Sequence, residues 1–535
     1  MKSLLPFPTQ YSLAYFSKKD MKHLLIILGI SLLFWNCKPA IEYPPLEENT
    51  ASLRDSKMKP FYHGVASGDP LTDRVIIWTR VSPETQLPSV DVSWEIAADP
   101  EFKQTLQEGV FETGPERDYT VKVDVEGLEA GKEYYYHFFA LNSVSPTGHT
   151  KTASTNAESL KMAVVSCSNY EWGYFNAYAR IAEEEGLDAV LHLGDYIYEY
   201  GIGRYGDTTI GRLNIPEHEI LSIQDYRDRY AQYRLDPDLQ AVHAAHPFIA
   251  IWDDHEITNN SYKDGAQNHQ EDEGSYEDRK AIAKQVYYEW LPIRESETHY
   301  RKFSFGGLAD LLMLDERLAG RTQQADSTSD PRRDLEDASM LGEVQLQWFE
   351  ENLKASTAKW KLIGNQVIYS YLDWGYETFR LNMDGWDGYP VEQEKVARII
   401  QDNEIENVVF LTGDTHTSWA IEATNKPQAY NPENSAGAFA VEFGAMSVNS
   451  ANSDERDIPV AAIKLHESKI VNSEMNPHLK FTNMRDHGYL ILDLNADKAR
   501  ASFHFVETNR ERTEKMKPSV SFEVMSGEVK LRKLE

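Results

Sequence analysis

From residue 158 onward, short apolar runs alternate with amphipathic or charged segments. The runs have the length of buried strands and consist mainly of Val, Ile and Leu. They lie at residues 162–165, 189–193, 248–252, 311–314, 362–363 and 408–412. The clearest helical patterns between them are "YFNAYARIAEEEG", "SIQDYRDRYAQYR", "EDRKAIAKQVYYEWL" and "LGEVQLQWFEENLKAS". This alternation predicts a layered α/β domain over residues 157–535, with mixed sheets flanked by helices.

Residues 59–156 show a different pattern, in which short strands of alternating polarity are separated by turn signals. The clearest strands are "DRVIIWTRVSP", "VDVSWEIAAD", "DYTVKVDVEGL" and "KEYYYHFFALN". The stretch "VEGLEAGKEYYYHFFALN" resembles the corner between strands E and F of a fibronectin type III domain, with Gly131 in the turn. We therefore predict a fibronectin-III-like β-sandwich here, preceded by a polar tether over residues 38–58.

The first 37 residues have the pattern of an export signal. Basic residues precede an apolar run over residues 24–35, which is shorter than the ~20 residues of a membrane span. Cys37 follows and resembles the lipid-modified cysteine of a bacterial lipoprotein, with an ordinary signal peptide or an uncleaved anchor as alternatives. We expect an exported protein, periplasmic or at the cell surface, with a lipid anchor to the membrane if Cys37 is modified. Cys167, the second of two cysteines, then has no disulfide partner.

The charge balance argues against one class of partner. The 85 acidic and 54 basic side chains give a net charge of −31, whereas proteins that bind nucleic-acid backbones present clustered lysine and arginine. We therefore expect no stable nucleic-acid binding. An acidic surface also keeps a protein soluble, so the net charge alone does not indicate a ligand.

Polar side chains with metal-binding chemistry follow all six apolar runs. The residues at these ends are Cys167, Asp195 with Tyr198, Asp253-Asp254-His255, Asp315 to Arg317, Asn365, and Asp414 with His416. Ligands of open α/β sheets bind beyond the carboxyl ends of the strands. One aspartate after a strand often caps the next helix, but capping does not account for six such ends. We therefore predict a single site where these strand ends converge.

In combination, these motifs resemble the calcineurin-type metallophosphatases and, more closely, the alkaline phosphatase D (PhoD) family. The matching motifs, in chain order, are "HGVASGDPLTDRVIIWTRVSP", "SCSNYEWGYFNAYARIA", "LHLGDYIYEYG", "WDDHEITNNSY", "LDERLAGRTQ", "WKLIGNQV" and "LTGDTHTSW". The resemblance extends from about residue 60 to the C-terminus. It implies an alkaline phosphatase that hydrolyses phosphate monoesters, diesters or both. It also implies attack by a metal-bound hydroxide, no covalent protein intermediate, and iron with calcium as cofactors.

Ligand hardness divides the candidate metal ligands into two sets. The first set combines thiolate, carboxylate, phenolate and imidazole, which favours Fe(III). Its members are Cys167, Asp195, Tyr198 and His416. The second set offers oxygen alone, which suits Ca²⁺, Mg²⁺ or Mn²⁺, and its members are Asp195, Asp254, Asn365 and Asp414. With Asp195 as a bridge, the expected cofactors are Fe(III) and Ca²⁺, and manganese, magnesium and zinc stay open.

Further side chains are predicted to act on the phosphate beside Asp195. His255 resembles the superfamily histidine that contacts phosphate, and it would stabilise transition-state charge or protonate the leaving alkoxide. Arg317 is a candidate phosphate contact, because a guanidinium matches phosphate oxygens. The alternatives are a structural histidine and a salt bridge from Arg317 to one of the two acidic residues before it. Asn169 and Tyr226 are expected to line the pocket.

Two other functions stay open on the sequence alone. A dedicated phosphodiesterase or phospholipase D-type hydrolase would use the same residues on another class of substrate. A surface binding protein with a degenerate hydrolase domain is the more distant alternative, although degenerate domains typically lose ligands and all candidate ligands are present here. The expected partners are small-molecule, lipid or nucleotide phosphate esters, and no protein partner is implied.

Overall fold

The computed structural model contains three β-sheets and describes residues 43–453, 455–456 and 458–535. Its strands, in chain order, are β1 (Val65–Gly68), β2 (Arg74–Arg80), β3 (Val90–Ala97), β4 (Thr105–Thr113), β5 (Thr120–Glu126), β6 (Glu133–Ala140), β7 (Ser143–Val144), β8 (Gly148–Lys151), β9 (Ser159–Val165), β10 (Ala189–His192), β11 (Pro247–Ala250), β12 (Arg301–Phe305), β13 (Ala309–Met313), β14 (Trp360–Asn365), β15 (Val408–Thr412), β16 (Ser418–Ala423), β17 (Ala440–Gly444), β18 (Leu479–Asn483), β19 (Gly488–Asn495), β20 (Lys498–Phe505), β21 (Val520–Met525) and β22 (Arg532–Lys533). The α-helices are α1 (Asn176–Ala182), α2 (Ile223–Arg234), α3 (Pro237–Ala245), α4 (Tyr276–Trp290), α5 (Gly342–Ala355), α6 (Pro390–Asp402) and α7 (Val460–Val471).

The six predicted apolar runs form the parallel centres of two large sheets. The ten-stranded sheet has the order β22-β21-β20-β19-β9-β10-β11-β1-β2-β5, and the seven-stranded sheet has the order β12-β13-β14-β15-β17-β16-β18. Strands β9, β10 and β11 are parallel to one another, and so are β13, β14 and β15. The carboxyl ends of each trio therefore lie at one edge of its sheet, where ligands of α/β proteins bind.

The two large sheets pack face to face, and helices cover their outer faces. Alternate residues of β9 show this, because Met162 and Val164 share one core cluster with Leu311 and Leu362 of the other sheet. The next residues along β9, Ala163 and Val165, belong instead to the cluster formed with helices α1 to α4. Helices α5 and α6 pack on the outer face of the seven-stranded sheet. This four-layer arrangement confirms the predicted α/β class.

The N-terminal β-sandwich is also present, and one of its two sheets is part of the ten-stranded sheet. Strands β3, β4, β6, β7 and β8 form a separate five-stranded sheet. Strands β1, β2 and β5 extend the ten-stranded sheet, with β1 parallel to β11. Val75 and Ile77 of β2 share a buried core with Val92, Tyr136 and Phe138 of the five-stranded sheet. The sandwich therefore supports the sheet that carries half of the predicted site.

The turn before β6 has the hydrogen bonds of a tyrosine corner. The Tyr134 hydroxyl donates to the carbonyl oxygen of Glu129 at 3.2 Å and accepts from the Glu129 amide at 2.8 Å. Gly131, between them, has a φ of 68°, a conformation that glycine adopts at little cost. This local geometry agrees with the fibronectin-III-like corner expected from the sequence.

Residues 46–58, within the segment predicted as a tether, contact the body of the protein. Thr50 is buried, and the Glu48 carboxylate lies 2.6 Å from Arg80 Nη1. The Asn49 side chain donates to Asp228 Oδ2 at 2.6 Å. Residues Leu46–Glu535 accordingly form one compact unit.

The predicted signal segment and Cys37 lie outside the described residues. Across residues 43–453, 455–456 and 458–535, no helix combines the length and the apolar character needed to cross a membrane.

Candidate metal centre

The first predicted ligand set is brought together at the ends of β9, β10 and β15. The ligand atoms of Cys167, Asp195 and His416 lie within 4.8 Å of one another. Tyr198, three residues after Asp195, donates from its hydroxyl to Asp195 Oδ2 at 2.9 Å and lies 3.2 Å from His416 Nε2. Thiol, carboxylate, phenol and imidazole groups, which the sequence spreads over 250 residues (167 to 416), thus surround one point.

The backbone at these strand ends adopts left-handed conformations at four candidate ligands. Cys167, Asp195, Asp414 and His416 have φ angles of 60°, 57°, 61° and 61°. The left-handed region is uncommon for non-glycine residues and costs on the order of 1–3 kcal/mol at each position. Such strain persists only where the surrounding structure imposes it, and here it coincides with the candidate ligands.

The ends of β10 and β11 approach each other closely because residue 194 is glycine. A Cβ atom at Gly194 would lie 2.4 Å from the Cβ of Asp253, which leaves no room for any other residue. The buried Glu256 carboxylate accepts hydrogen bonds from the amides of Asp195 at 3.1 Å, Tyr196 at 2.6 Å and Asp253 at 2.9 Å. Glu256 therefore holds the two ligand-bearing loops together.

The second predicted set is brought together only in part. Ligand atoms of Asp195, Asp254 and His255 lie within 4.8 Å of one another. Asp254 Oδ1 and Asp414 Oδ1 each lie 3.8 Å from Nη2 of Arg317, which places both carboxylates around the same guanidinium.

Asn365, the remaining member of the second set, is fully buried at the end of β14. Its side-chain oxygen accepts from the Trp386 indole at 3.1 Å, and its amide group donates to Thr412 Oγ1 at 3.2 Å. The amide is therefore already engaged inside the protein.

The buried acidic groups at the site lack enough protein donors. Asp195 Oδ1, Asp253 Oδ2 and Asp254 Oδ1 are buried and find no hydrogen-bond partner in the described part of the chain. Burial raises the pKa of Asp195 well above the usual aspartate value, and it raises the pKa of Asp414 to about 7. Burial, with the charge of Asp195 adding to it, also raises the pKa of the Cys167 thiol. At Asp195, Asp414 and Cys167 the protein by itself thus disfavours the anionic forms that a bound cation would stabilise. At Asp254, the charges of His255 and Arg317 outweigh burial and lower the pKa.

The tautomer and the pKa of His416 suit a neutral imidazole ligand. Its Nδ1 donates to the carbonyl oxygen of Ala451 at 2.8 Å, which leaves the lone pair on Nε2, the nitrogen that faces Tyr198. Burial lowers the pKa of His416 to about 3, so the ring is neutral at physiological pH.

His255 is held by a buried carboxylate that no sequence motif indicated. His255 Nδ1 lies 2.6 Å from Glu199 Oε2, and Nε2 remains as the nitrogen available to the site. Glu199 is fully buried and also accepts from the Asn259 amide at 2.8 Å and from Asn268 Nδ2 at 2.9 Å. Burial alone would lower the pKa of His255, but the charges of Asp254, Glu199 and Asp195 outweigh it and raise that pKa well above the usual value.

Arg317 pairs with carboxylates of the protein, and its predicted phosphate contact stays a prediction. Its side chain is fully buried, with Nε bonded to Asp253 and with Nη1 and Nη2 each 2.8 Å from the carboxylate of Asp384. Arg321 also contacts Asp384, so two guanidinium groups share that carboxylate. The closest ion pairs of Arg317 are with Asp253 and Asp384, which are distant in sequence, and not with the two acidic residues just before it. Its physical role is to fix carboxylates at the edge of the site.

The other two pocket candidates are also buried and engaged with the protein. The Asn169 side chain accepts from the Glu171 amide at 3.0 Å and donates to the carbonyl of Tyr205 at 3.1 Å. The Tyr226 hydroxyl donates to the carbonyl of Ile257 and accepts from Arg279 at 3.1 Å. Both residues therefore support loops near the site.

Comparison with known proteins agrees with this geometry. The family profile described as PhoD-like phosphatase matches residues 162–503, and that of the PhoD-like phosphatase N-terminal domain matches residues 47–154. The chain belongs to the PhoD-like phosphatase family. It is 36% identical to alkaline phosphatase D of Bacillus subtilis (strain 168) over 501 residues, which cover 89% of this chain and 82% of the relative. A solved structure titled "Structure of PhoD" superposes with a TM-score of 0.80 at 34% identity, covering 90% of this chain and 93% of that chain.

This membership makes the chain a phosphoric ester hydrolase of the PhoD type. The family is metal-dependent, and the groupings around Cys167, Asp195 and His416 and around Asp195, Asp254 and His255 offer ligands for metal ions. The unpartnered carboxylate oxygens and the mixture of hard and soft donors fit bound cations.

Two cavities open on this PhoD-like site and meet at Asp414. The larger, of about 840 Å³, is lined mostly by polar residues, among them Asn260, Gln267 and Asp384. The smaller, of about 440 Å³, contains Asp414 and His416 together with Arg456 and several aromatic side chains. A substrate therefore has access to the candidate metal ligands from two sides.

Proposed function

We propose that this phosphatase is an exported alkaline phosphatase of the PhoD type, which hydrolyses phosphate monoesters, diesters or both with bound Fe(III) and Ca²⁺. The observation that carries the proposal is the convergence of Cys167, Asp195, Tyr198 and His416 on one point, beside the oxygen donors of Asp254 and Asp414. A thiol and a phenol in one cluster favour a trivalent redox metal, whereas carboxylate oxygens favour Ca²⁺.

Asp195 would hold both kinds of ion, because it belongs to both groupings of ligand atoms. Cys167, Tyr198 and His416 would complete the iron set, and Asp254 and Asp414 the calcium set. Asn365 would join the calcium set through the second lone pair of its side-chain oxygen, since an amide oxygen accepts two hydrogen bonds or ligands. When bound, the ions would polarise the phosphoryl oxygens and lower the pKa of a bound water.

The chain's own residues would orient the ester and transfer the proton. Glu199 fixes the His255 ring through Nδ1, so that Nε2 is directed to the site. A protonated His255 can donate to the oxygen of the leaving alcohol or stabilise negative charge on phosphorus oxygens. Asp384 and Arg317 hold the surrounding carboxylates in place, so that the phosphate enters a fixed arrangement of charges.

The iron assignment is tested by the colour of the purified enzyme. A phenolate bound to Fe(III) should give a visible charge-transfer band, and metal analysis should find iron. Tyr198→Phe should abolish the band, whereas Tyr226→Phe, which changes a buried tyrosine outside the ligand set, should keep it. A colourless, active enzyme without iron would refute the assignment.

The reaction and the calcium assignment are tested with paired substrates. We would compare 4-nitrophenyl phosphate with bis(4-nitrophenyl) phosphate, which share a leaving group, with and without added Ca²⁺. We expect hydrolysis of at least one ester and stimulation by Ca²⁺ after chelation. Hydrolysis that is indifferent to chelation and to Ca²⁺ would contradict the calcium assignment, and hydrolysis of neither ester would contradict the function.

Export rests on the signal-like segment before Cys37 and is tested in cells. The full-length protein should appear in the membrane fraction with its catalytic domain accessible from outside the cytoplasm, and labelled fatty acid should be incorporated. Cys37→Ser should remove the label. Accumulation of the unprocessed wild-type chain in the cytoplasm would refute export, and release of an unlabelled chain would favour an ordinary signal peptide.

A further inference from the structure

The smaller of the two cavities has an aromatic wall next to the candidate metal ligands. Trp374, Tyr376 and Phe379 line it, and Asp414 and His416 lie in the same cavity. Phosphorus bound at Asp414 would therefore have an apolar surface on one side and the polar cavity on the other.

The position of this aromatic wall is fixed by packing and hydrogen bonds within the fold. Trp374 is only 9% exposed and packs edge-on against Trp419, with ring centroids 5.2 Å apart, and against Phe379 at 5.5 Å. The Trp419 indole donates to Thr415 Oγ1 at 2.9 Å, and Thr415 lies between Asp414 and His416. The position of the wall is thus fixed relative to the predicted ligands.

The turn that presents the two outer rings is also fixed by hydrogen bonds. The Trp374 amide donates to the Arg380 carbonyl at 2.8 Å, and Arg380 Nε donates to Asp373 Oδ2 at 3.0 Å. Tyr376 stacks on His466 of α7 with ring centroids 4.2 Å apart, and His466 Nε2 donates to the Trp374 carbonyl at 3.0 Å. Hydrogen bonds between residues 373–374 and Arg380 therefore close the turn, and His466 packs on one side of it.

Despite this support, Tyr376 is 39% exposed and Phe379 is 43% exposed. Single exposed apolar residues are normal on protein surfaces. Here, however, two large aromatic rings are exposed in the cavity that contains the candidate ligands Asp414 and His416. Such an arrangement indicates a surface that a ligand covers. Arg456 lines the same cavity and can interact with an aromatic face or a phosphate oxygen.

We propose that the smaller cavity is a subsite for an aromatic substituent of the phosphate ester, and that Tyr376 and Phe379 determine the preference for it. This inference rests on the proposed hydrolysis of phosphate esters at Asp414 and His416. Flat rings match edge-on and stacked aromatic partners better than they match a small polar alcohol. The larger polar cavity then takes a second substituent, where the ester has one.

Binding of stable phosphonates tests the subsite independently of turnover. We would measure methylphosphonate and (1-naphthylmethyl)phosphonate by calorimetry on the metal-containing enzyme as purified. We expect the naphthyl compound to bind about tenfold or more tightly than the methyl compound. In the double variant Tyr376→Ser/Phe379→Ser, the ratio of the two dissociation constants should fall close to one. Phe379→Leu, which keeps an apolar side chain without the ring, should give an intermediate ratio.

Controls separate this proposal from folding defects and from the proposed function. Leu465→Ser changes a residue of α7 that is 73% exposed and does not line either cavity, so it should keep the wild-type ratio. Thermal unfolding of each variant checks that the fold is retained. A wild-type ratio near one, or an unchanged ratio in the folded double variant, would overturn the subsite. Hydrolysis of 4-nitrophenyl phosphate and of bis(4-nitrophenyl) phosphate, assayed in parallel, reports on the proposed function, so naphthyl preference without hydrolysis of either ester would refute only the latter.

Discussion

The two predicted ligand sets differ in how far the protein compensates their charges. In the set of Cys167, Asp195, Tyr198 and His416, the polar atoms contact one another and no guanidinium is within ion-pair distance in the described part of the chain. In the oxygen set, Arg317 lies 3.8 Å from both Asp254 and Asp414. Asn365 is engaged by Trp386.

This difference has a physical consequence for metal binding. The charge of His255 is shared among Asp195, Asp254 and Glu199, and no guanidinium pairs with Cys167 or Asp195 in the described residues. A bound ion would therefore stabilise the buried anionic thiolate and carboxylate, and the first set should hold its metal tightly. In the oxygen set, Arg317 already neutralises part of the negative charge, so a second cation gains less on binding. We therefore expect a permanently bound metal in the first set and a more exchangeable one in the second.

Asp195→Asn should have the largest effect, because Asp195 is the group that both sets share. We expect activity to fall on the order of 10³-fold or more and both metals to bind more weakly. Steady-state kinetics and metal analysis measure these effects. Asp402→Asn, at the exposed end of α6, is the matched control and should change neither. Activity and metal content close to those of the wild type would show that the two sets do not share a bridging ligand.

Cys167→Ala should separate the two sets, because it removes the one thiol and leaves the oxygen donors in place. We expect iron content and the visible band to be lost, with activity falling about 10²-fold or more, while Ca²⁺ still binds. Metal analysis and absorption spectra of the folded variant test this. If Cys167 only fills space, the variant will lose stability by roughly 1–2 kcal/mol and keep its iron.

Glu199→Gln should reduce activity without removing either metal. Glu199 is a positioning residue, and loss of its charge weakens the hold on His255 Nδ1, so we expect kcat to fall about 10- to 100-fold. The alkaline limb of the pH–rate profile should move to lower pH, because His255 acts in its protonated form and the variant lowers its pKa. If the two residues act together, adding Glu199→Gln to His255→Ala should cost little more activity. Fully additive losses would show that Glu199 acts elsewhere.

Asp384→Asn should have the smallest and most selective effect. It removes one charge from the carboxylate shared by Arg317 and Arg321, which leaves the positive charge of Arg317 more available to Asp254 and Asp414. We expect the apparent Kd for Ca²⁺ to rise about tenfold with iron content unchanged. Asp384→Glu should be closer to the wild type. Equal losses of both metals in the Asn variant would contradict the distinction between the sets.

Much of the fold, and the convergence of the candidate ligands, could be predicted from local patterns. Each parallel strand at the site is a short apolar run with a polar residue at most three positions after it, as β10 and Asp195 show. Because parallel strands end at the same edge, the pattern also predicted that these residues meet. The position of Arg317 was not predictable in this way. Its main partner Asp384 lies 67 residues further along the chain, in a loop without a regular hydrophobic pattern.

Local periodicity and residue chemistry are enough to predict the α/β class, the N-terminal sandwich and the types of donor at each strand end. Three features become visible only in the folded protein: the sandwich extends the ten-stranded sheet, Glu199 holds His255, and Arg317 pairs with Asp253 and Asp384. These features depend on contacts between residues that are distant in sequence. A buried charge must be paired, and its partner is whichever opposite charge the fold brings close to it. Local sequence patterns therefore do not predict the partner.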